Sequence, residues 1–310
     1  MNDYISIPPL LRDASALIYV DDLETPEVRA EDSRHLWTVL RLRPGETVVV
    51  SDGQGRFRGC TVAATSIGKA PEKPVAPAQT AQHARRRGQG GALVLLPATE
   101  VTEGRRAVPA LTVGFSLAKG DRNDWAVAKL SELGVDRIVP LMCERTAVRL
   151  SPEQALHQHE RLRRIAREAS MQARRIWLPE VLDVVALAHA PSRLGSDARA
   201  GVGGGGVGGV GGGVGGVGGG GIGGVGGGGI ALAEPGGPGL SLATPTVLVG
   251  PEGGFAPGEL AMGLPVVGLG ATVLRIETAA IAAGTILSAL RSGLLSATSA
   301  VDDPRRCRPR

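Results

Sequence analysis

The chain is poor in the residues from which metal centres, disulfide frameworks and base-stacking surfaces are built. Its three cysteines, Cys60, Cys143 and Cys307, are odd in number and far apart, so neither a disulfide framework nor a zinc-type spacing is available. Of five histidines only His157 and His159 are close, and two residues apart on a helix they point in different directions. No metal is expected. Phe, Trp and Tyr together make up 3% of the chain, too few for the aromatic platforms on which single-strand binders stack bases. No apolar run reaches the roughly 18 residues of a membrane span. The first residues, MNDYISIPPLLRDAS, lack a basic segment followed by an apolar one. These absences lead to the expectation of a cytoplasmic protein with no membrane partner.

What is present describes a globular protein that meets a polyanion. Apolar residues make up 43% and the net charge is +4, a balance suited to a core rather than to disorder. The arginines are clustered: Arg34, Arg41, Arg43, Arg56 and Arg58; Arg85 to Arg87; a series from Arg161 to Arg175; and the tail from Pro304 to Arg310. Clustered arginine suits phosphate contacts and counterion release. With aromatics scarce, RNA would be held by charge and shape more than by stacking.

Two kinds of secondary-structure pattern divide the chain. Residues 16–63 carry short β-rich runs, ALIYV, ETVVVSDG and RFRGCTVAA, with the hairpin signal Asp52-Gly53-Gln54-Gly55 between the last two. A short helix is expected over 33–46, closed by Pro44-Gly45. A small β-barrel-like domain follows from this, with 66–91, rich in Pro, Ala, Gln and Arg, as a loop or insertion. From residue 109 strands alternate with helices: ALTVGFSL, then a helix ending at Gly134, then DRIVPLM, then a long amphipathic helix over 151–175 opened by Ser151 as its N-cap. Such alternation implies a parallel α/β sheet, whose ligand sites lie beyond the carboxyl ends of the strands.

Residues 201–230 contain only Gly, Val and Ile, and 22 of the 30 are Gly. This tract buries too little side chain to offset an ordering cost of roughly 1–2 kcal/mol per residue. It lacks the strict period and the proline of collagen, and its many GxGxxG registers lack the strand and helix of a dinucleotide site. It is read as an insertion. Strands are expected again at GIALAEPG, TPTVLVG and LPVVGLG, and a final helix over 278–295.

Two loops in this last third carry the chemistry. Gly250-Pro251-Glu252-Gly253-Gly254-Phe255 directly follows a strand; Pro251 presets a turn, and the glycines allow close approach of a ligand to main-chain atoms. Gly268-Leu269-Gly270-Ala271-Thr272-Val273-Leu274-Arg275-Ile276-Glu277 joins a strand to the last helix and sets an arginine and a glutamate at a helix amino end. On spacing alone Arg275 and Glu277 fit either a functional pair or a structural ion pair.

The string FSLAKGDRNDWAVAKLSELGVDRIVPLMCERTAVR, followed by AREASMQARRIWLPEV, LVGPEGGF and LRIETAA, resembles the uracil-N3 methyltransferases of 16S ribosomal RNA, of the SPOUT or α/β-knot class. RHLWTVLRLRPGETVVVSDGQGRFRG resembles that family's PUA-like domain. The resemblance implies residues 1–105 as a PUA-like RNA-binding barrel and 106–298 as a trefoil-knotted methyltransferase domain; the sequence adds the interruption at 201–230 and a basic tail over 299–310. It implies S-adenosylmethionine as cofactor, held by Leu248, Val249, Gly250, Pro251, Glu252, Gly253, Gly254, Leu269, Gly270, Val273, Leu274 and Arg275. It further implies a homodimer acting on 16S rRNA of the small ribosomal subunit. Uracil N3 is a poor nucleophile until its imide proton leaves, so Arg275 is expected to stabilise the anion and Glu277 to accept the proton or hold Arg275. Arg34, Arg41, Arg43, Lys119 and Arg122 are expected on the RNA; Lys129 and Glu132, and more weakly Arg145 and Gln172, are secondary candidates.

Three departures from the pattern stand out. Ala256 occupies an expected N-cap serine position, which puts helix stability there in doubt. The glycine tract falls where a helix normally covers the sheet. Residues 66–91 and the arginine tail are extra. The competing readings are an RNA-binding protein of the same fold without catalysis, and a related knotted enzyme acting on transfer RNA.

Overall fold

The computed structural model describes residues 8–29, 32, 41–65, 93–200 and 229–296. Arg34, most of the expected helix over 33–46, the 66–91 loop, residues 201–228 of the glycine tract and the basic tail lie outside the described residues.

The amino-terminal part contains α1 (Pro9–Asp13) and strands β1 (Leu17–Tyr19), β2 (Thr47–Ser51), β3 (Arg56–Thr65), β4 (Leu93–Pro97) and β5 (Thr102–Glu103). The sheet runs β1-β2-β3-β4, with β5 against β3. The Asp52–Gly55 turn joins β2 to β3 as antiparallel neighbours, Ser51 facing Phe57. Alternation along the strands sends side chains to two buried faces. Val48 and Val50 join Ile18, Cys60, Val62 and Leu95 on one; Val49 joins Leu17, Tyr19 and Phe57 on the other. A bridge between Glu27 and Val94 brings the chain after β1 back to β4, curling the sheet towards a barrel.

The rest is a seven-stranded sheet of order β12-β10-β11-β6-β7-β8, with β9 also on β7. Its strands are β6 (Thr112–Ser116), β7 (Arg137–Met142), β8 (Glu180–Val181), β9 (Val185–Ala186), β10 (Ile230–Ala233), β11 (Thr246–Val249) and β12 (Val266–Val267), all paired parallel. Both faces are covered, as a parallel sheet requires. On one face α2 (Arg122–Glu132), α3 (Pro152–Gln172) and α6 (Ile276–Arg291) pack over Val113, Phe115, Ile138 and Val247. On the other, α4 (Ala190–Ala200) sets Ala190 and Leu194 against Val139, Leu141, Leu232 and Leu248.

Local signals explain the helix ends. Gly134, at φ +86°, stops α2. A capping box opens α3: Gln154 N–H donates to Ser151 Oγ (3.2 Å) and Ser151 N–H to Gln154 Oε1 (2.9 Å). Several expected bounds shift. Ile230, inside the range read as insertion, is the first residue of β10 and is buried. The helix that the glycine tract was expected to displace is present as α4, ahead of the tract. The last helix covers 276–291 rather than 278–295, and the strand expected over 264–270 keeps only Val266 and Val267.

After β12 the chain crosses the connection between β10 and β11 at close range. Gly268 N–H donates to Pro238 O (2.7 Å), and a Cβ on Gly268 would run into the Gly237 carbonyl. The chain then enters α6, which packs on α2, β6 and β11. This crossing lies at the carboxyl edge of the sheet, where the resemblance to the SPOUT class implies a knot.

The seam between the two parts is residues 171–178. Gly55 N–H donates to Ile176 O (3.0 Å) and Leu178 N–H to Gly53 O (2.9 Å). Tyr19 OH donates to Arg175 O (2.6 Å); burial pushes this phenol up to about 12, so the donor proton stays in place. Arg167 pairs with Asp32 (2.8 Å) and donates to Tyr19 O (3.0 Å). Among the described residues no helix is long and apolar enough to cross a membrane, and no group of three His, Cys, Asp or Glu side chains is placed to hold a metal. Burial pushes the Cys60 thiol up to about 11 and Cys143 up to about 12, so neither is a nucleophile at neutral pH.

Two stability predictions follow from close packing. Asp136, 5% exposed, faces Arg291, Arg175 and Arg106. Asp136→Asn leaves buried arginine without a counter-charge and is expected to lower unfolding free energy by about 3–5 kcal/mol, measured by urea denaturation at neutral pH. Gly268→Ala forces the two crossing connections apart and is expected to yield protein with a markedly lower melting temperature; an unchanged Tm would show that the crossing tolerates a side chain.

Candidate active site

Strand order fixes where a ligand can enter. From β6 the chain moves outward through β7 to β8, then returns to build β10, β11 and β12 on the other side. Connections therefore leave the neighbouring strands β6 and β11 in opposite directions. The crevice beyond their carboxyl ends is the position where open α/β sheets bind ligands. Two loops flank it, 117–121 after β6 and 250–254 after β11, and the loop 268–275 leads past it to the amino end of α6.

The 250–254 loop is a tight turn closed by Gly254 N–H on Pro251 O (2.8 Å), with Gly254 at φ +69°. Gly250 lies under the Phe255 ring, where an added Cβ would come within 3.1 Å. Leu248 and Val249, at the end of β11, are buried. Arg145, beyond the end of β7, donates to Gly253 O (3.0 Å) and Phe255 O (3.3 Å) and so pins the loop from the far side. Ala256 does begin α5 (Pro257–Leu260) without a capping side chain, but the helix is not left open. Glu259 accepts the Ala256 N–H (2.8 Å) through one oxygen and the Glu144 N–H (2.8 Å) through the other.

The 268–275 loop is held differently. Among the described residues, no main-chain amide from Gly270 to Leu274 donates a hydrogen bond to the protein. Val273 is 87% exposed, while Leu269 and Leu274 are partly buried against the core. Five consecutive amides without protein partners, ending at the amino end of a sixteen-residue helix, leave their donors available to water or to a ligand.

Arg275 is the N-cap residue of α6 and is exposed, with no ion pair to any described residue. Glu277 is in the first turn, its side chain 8% exposed. The structural ion pair that their spacing allowed does not form. Glu277 faces Arg122, at 3.8 Å, and its Oε2 is buried without a hydrogen-bond partner. Arg122 also pairs with Glu252 (2.5 Å) and donates through Nε to Lys119 O (3.1 Å). One guanidinium thus ties all three elements around the crevice: the loop after β6, the loop after β11 and the start of α6. Arg122, expected on RNA, faces two carboxylates and remains partly exposed.

The other sequence candidates separate by position. Lys119 is exposed beside this cluster. Arg41 and Arg43 are exposed in the amino-terminal part, Arg41 at φ +50°. Lys129 and Glu132 form a surface pair at 2.8 Å, three apart on α2. Gln172 ends α3, and because a crossover helix runs against its strands, it lies at the amino edge, away from the crevice. Sequence reading missed Glu259 as a cross-link and Arg122 as the centre of the ion cluster. Nothing local signals the contact between Arg122 and Glu252, 130 residues apart.

Comparison with known proteins agrees with this arrangement. Residues 106–200 and 239–288 match the model of the RNA methyltransferase domain, and residues 28–69 that of the RNA methyltransferase PUA domain. The chain is 29% identical over 273 residues to ribosomal RNA small subunit methyltransferase E of Mycobacterium bovis, covering 85% of this chain and 87% of that protein. It is 25% identical over 166 residues to the protein of that name from Bacillus subtilis, covering 53% and 56%. Among solved structures, a ribosomal RNA small subunit methyltransferase E from Neisseria gonorrhoeae, bound to S-adenosyl methionine, superposes with TM-score 0.62 at 23% identity, covering 89% of this chain and 97% of that one. A probable rRNA-methyltransferase from Porphyromonas gingivalis gives 0.61 at 19%, covering 90% and 100%. The chain thus carries a match to the RNA methyltransferase domain, preceded by a match to the RNA methyltransferase PUA domain.

Proposed function

We propose that this protein transfers a methyl group from S-adenosylmethionine to N3 of a uridine in 16S rRNA of the small ribosomal subunit, acting as a homodimer. The observation that carries the reading is the run of unpartnered amides from Gly270 to Leu274 beside the buried, unbonded Glu277 Oε2. A polar, zwitterionic cofactor read by main-chain atoms fits such a crevice. The residues that would hold it are Leu248, Val249, Gly250, Pro251, Glu252, Gly253, Gly254, Leu269, Gly270, Val273, Leu274 and Arg275. When bound, S-adenosylmethionine supplies a methyl group activated on a sulfonium sulfur.

The remaining work falls to the protein. Glu277, whose Oε2 is buried with no hydrogen-bond partner, accepts the imide proton of the uracil. Arg275, uncommitted to any described carboxylate, lends positive charge to the oxygens over which the uracil anion spreads. Arg122 serves the loops rather than the RNA: it keeps Glu252 and Glu277 in register, so that donor and acceptor meet in line. Arg34, Arg41 and Arg43 on the PUA domain supply phosphate contacts.

Incubation with labelled S-adenosylmethionine and unmodified small subunits, followed by digestion to nucleosides, is expected to give labelled 3-methyluridine. Cofactor binding with no labelled nucleoside would instead leave a binding protein of the same fold; a labelled ribose or guanine would indicate an enzyme of the tRNA-modifying type. Arg275→Ala is expected to slow transfer by about 100-fold, the scale of one electrostatic donor. Arg122→Ala leaves Glu277 without its counter-charge. Because Arg122 is partly exposed, the expected loss is about 1–2 kcal/mol. A double-mutant cycle with Glu277→Gln should recover part of it.

A further inference from the structure

Beside the crevice is a second depression, open to solvent, walled by Leu117, Val148 and Leu150 and edged by Lys119 and Gln158. We propose that it is the pocket for the target base, and that Lys119 is the cation facing the carbonyl edge of the uracil ring; this rests on the function proposed above.

Four observations support it. The pocket opens off the carboxyl end of β6, on one wall of the switch-point crevice. Its loop is rigidly set: Asn123, buried on α2, accepts the Ala118 N–H and donates to Ala118 O, both at 2.8 Å, and Arg122 holds Lys119 O. A loop braced twice over places its side chain accurately. Lys119 has no carboxylate within ion-pair distance among the described residues, whereas the neighbouring cations Arg122, Lys129 and Arg161 are all paired. Finally, one arginine side chain separates this loop from Glu277, through Arg122 to Lys119 O and to the Glu277 carboxylate.

The chemistry of the walls selects the ligand. Val148 and Leu150, both half-buried, offer apolar contact to the face of a planar ring, which a phosphate cannot use. The Gln158 amide can both donate and accept, matching an edge that alternates carbonyl, imide and carbonyl. Loss of the imide proton to Glu277 leaves negative charge on the two flanking oxygens, and Lys119 offers three donors to that edge. The proton passes to the carboxylate, the N3 lone pair takes the methyl group, and the sulfonium sulfur keeps the electron pair of the broken bond.

Two measurements test this. First, 5-iodouridine is placed at the modified position of an rRNA fragment and irradiated with the wild-type protein. The expected cross-links fall in the peptides carrying residues 117–120 or 148–150. Cross-links confined to the PUA domain or to another face would overturn the pocket, and would leave the reaction untouched if 3-methyluridine is still formed. Second, Lys119→Met, at an exposed site, is expected to lower kcat about 100-fold with RNA affinity within twofold, and to regain rate as pH rises and the uracil ionises without help. A loss confined to RNA affinity, with a weaker salt dependence, would make Lys119 a phosphate contact and refute the assignment. If the wild-type protein makes no 3-methyluridine while the cross-links still map to the pocket, the failure lies with the proposed reaction, not with the base site.

Discussion

The buried carboxylate of Asp136 is the constraint on which the architecture turns. It accepts the Leu111 N–H (2.9 Å) at the start of β6 and the guanidinium of Arg291 at the end of α6. Arg175 lies 3.9 Å away and donates to Ser131 O (2.8 Å) and Val135 O (2.9 Å) at the end of α2. Arg291 also donates to Gly134 O (2.7 Å). Burial pulls the Arg175 guanidinium down from its usual range, but Asp136 opposes this and no protein arginine loses its proton at physiological pH. The charges are thus fixed, and the ends of three helices are fixed with them.

This lock sits at the amino edge of the sheet, and the division of labour follows from that. Tyr19 OH on Arg175 O carries the same anchor into the amino-terminal sheet, so that part is held relative to the parallel sheet by groups far from the crevice. The carboxyl edge is left free to be built from loops, glycines and unpaired amides. Such an edge contributes little to stability, and the locked opposite edge offsets it. Arg122 repeats the device on a smaller scale, one guanidinium between two carboxylates, where loops rather than helix ends need holding.

Much of this was legible in the residues. The capping box at Ser151, the stop at Gly134, the Asp52–Gly55 hairpin and the alternation of strand with helix are local signals, and local signals survive folding because their partners are three or four residues away. The LVGPEGGF and LRIETAA loops were legible for the same reason, as strand-to-turn and strand-to-helix junctions. The spacing of Arg275 and Glu277 left a functional pair and a structural ion pair open; in the structure Arg275, the N-cap residue, is exposed, while Glu277, the second residue of the helix, is buried and faces Arg122. The missing cap at Ala256 was also legible; the compensation by Glu259 was not, since one of its two partners is Glu144.

By itself the sequence determined the classes of element, their order, the two ligand loops and the likeness to a methyltransferase family, because these rest on periodicity, turn chemistry and short ordered motifs. Only the tertiary structure decided which charges meet. It placed Arg122 between Glu252 and Glu277, gathered three arginines around Asp136, left Lys119 without an ion pair among the described residues beside an apolar depression and kept α4 in place ahead of the glycine tract. The physical reason is that electrostatic partners and pocket walls are set by strand order and by the crossing at Gly237 and Gly268, and neither leaves a mark in the spacing of residues along the chain.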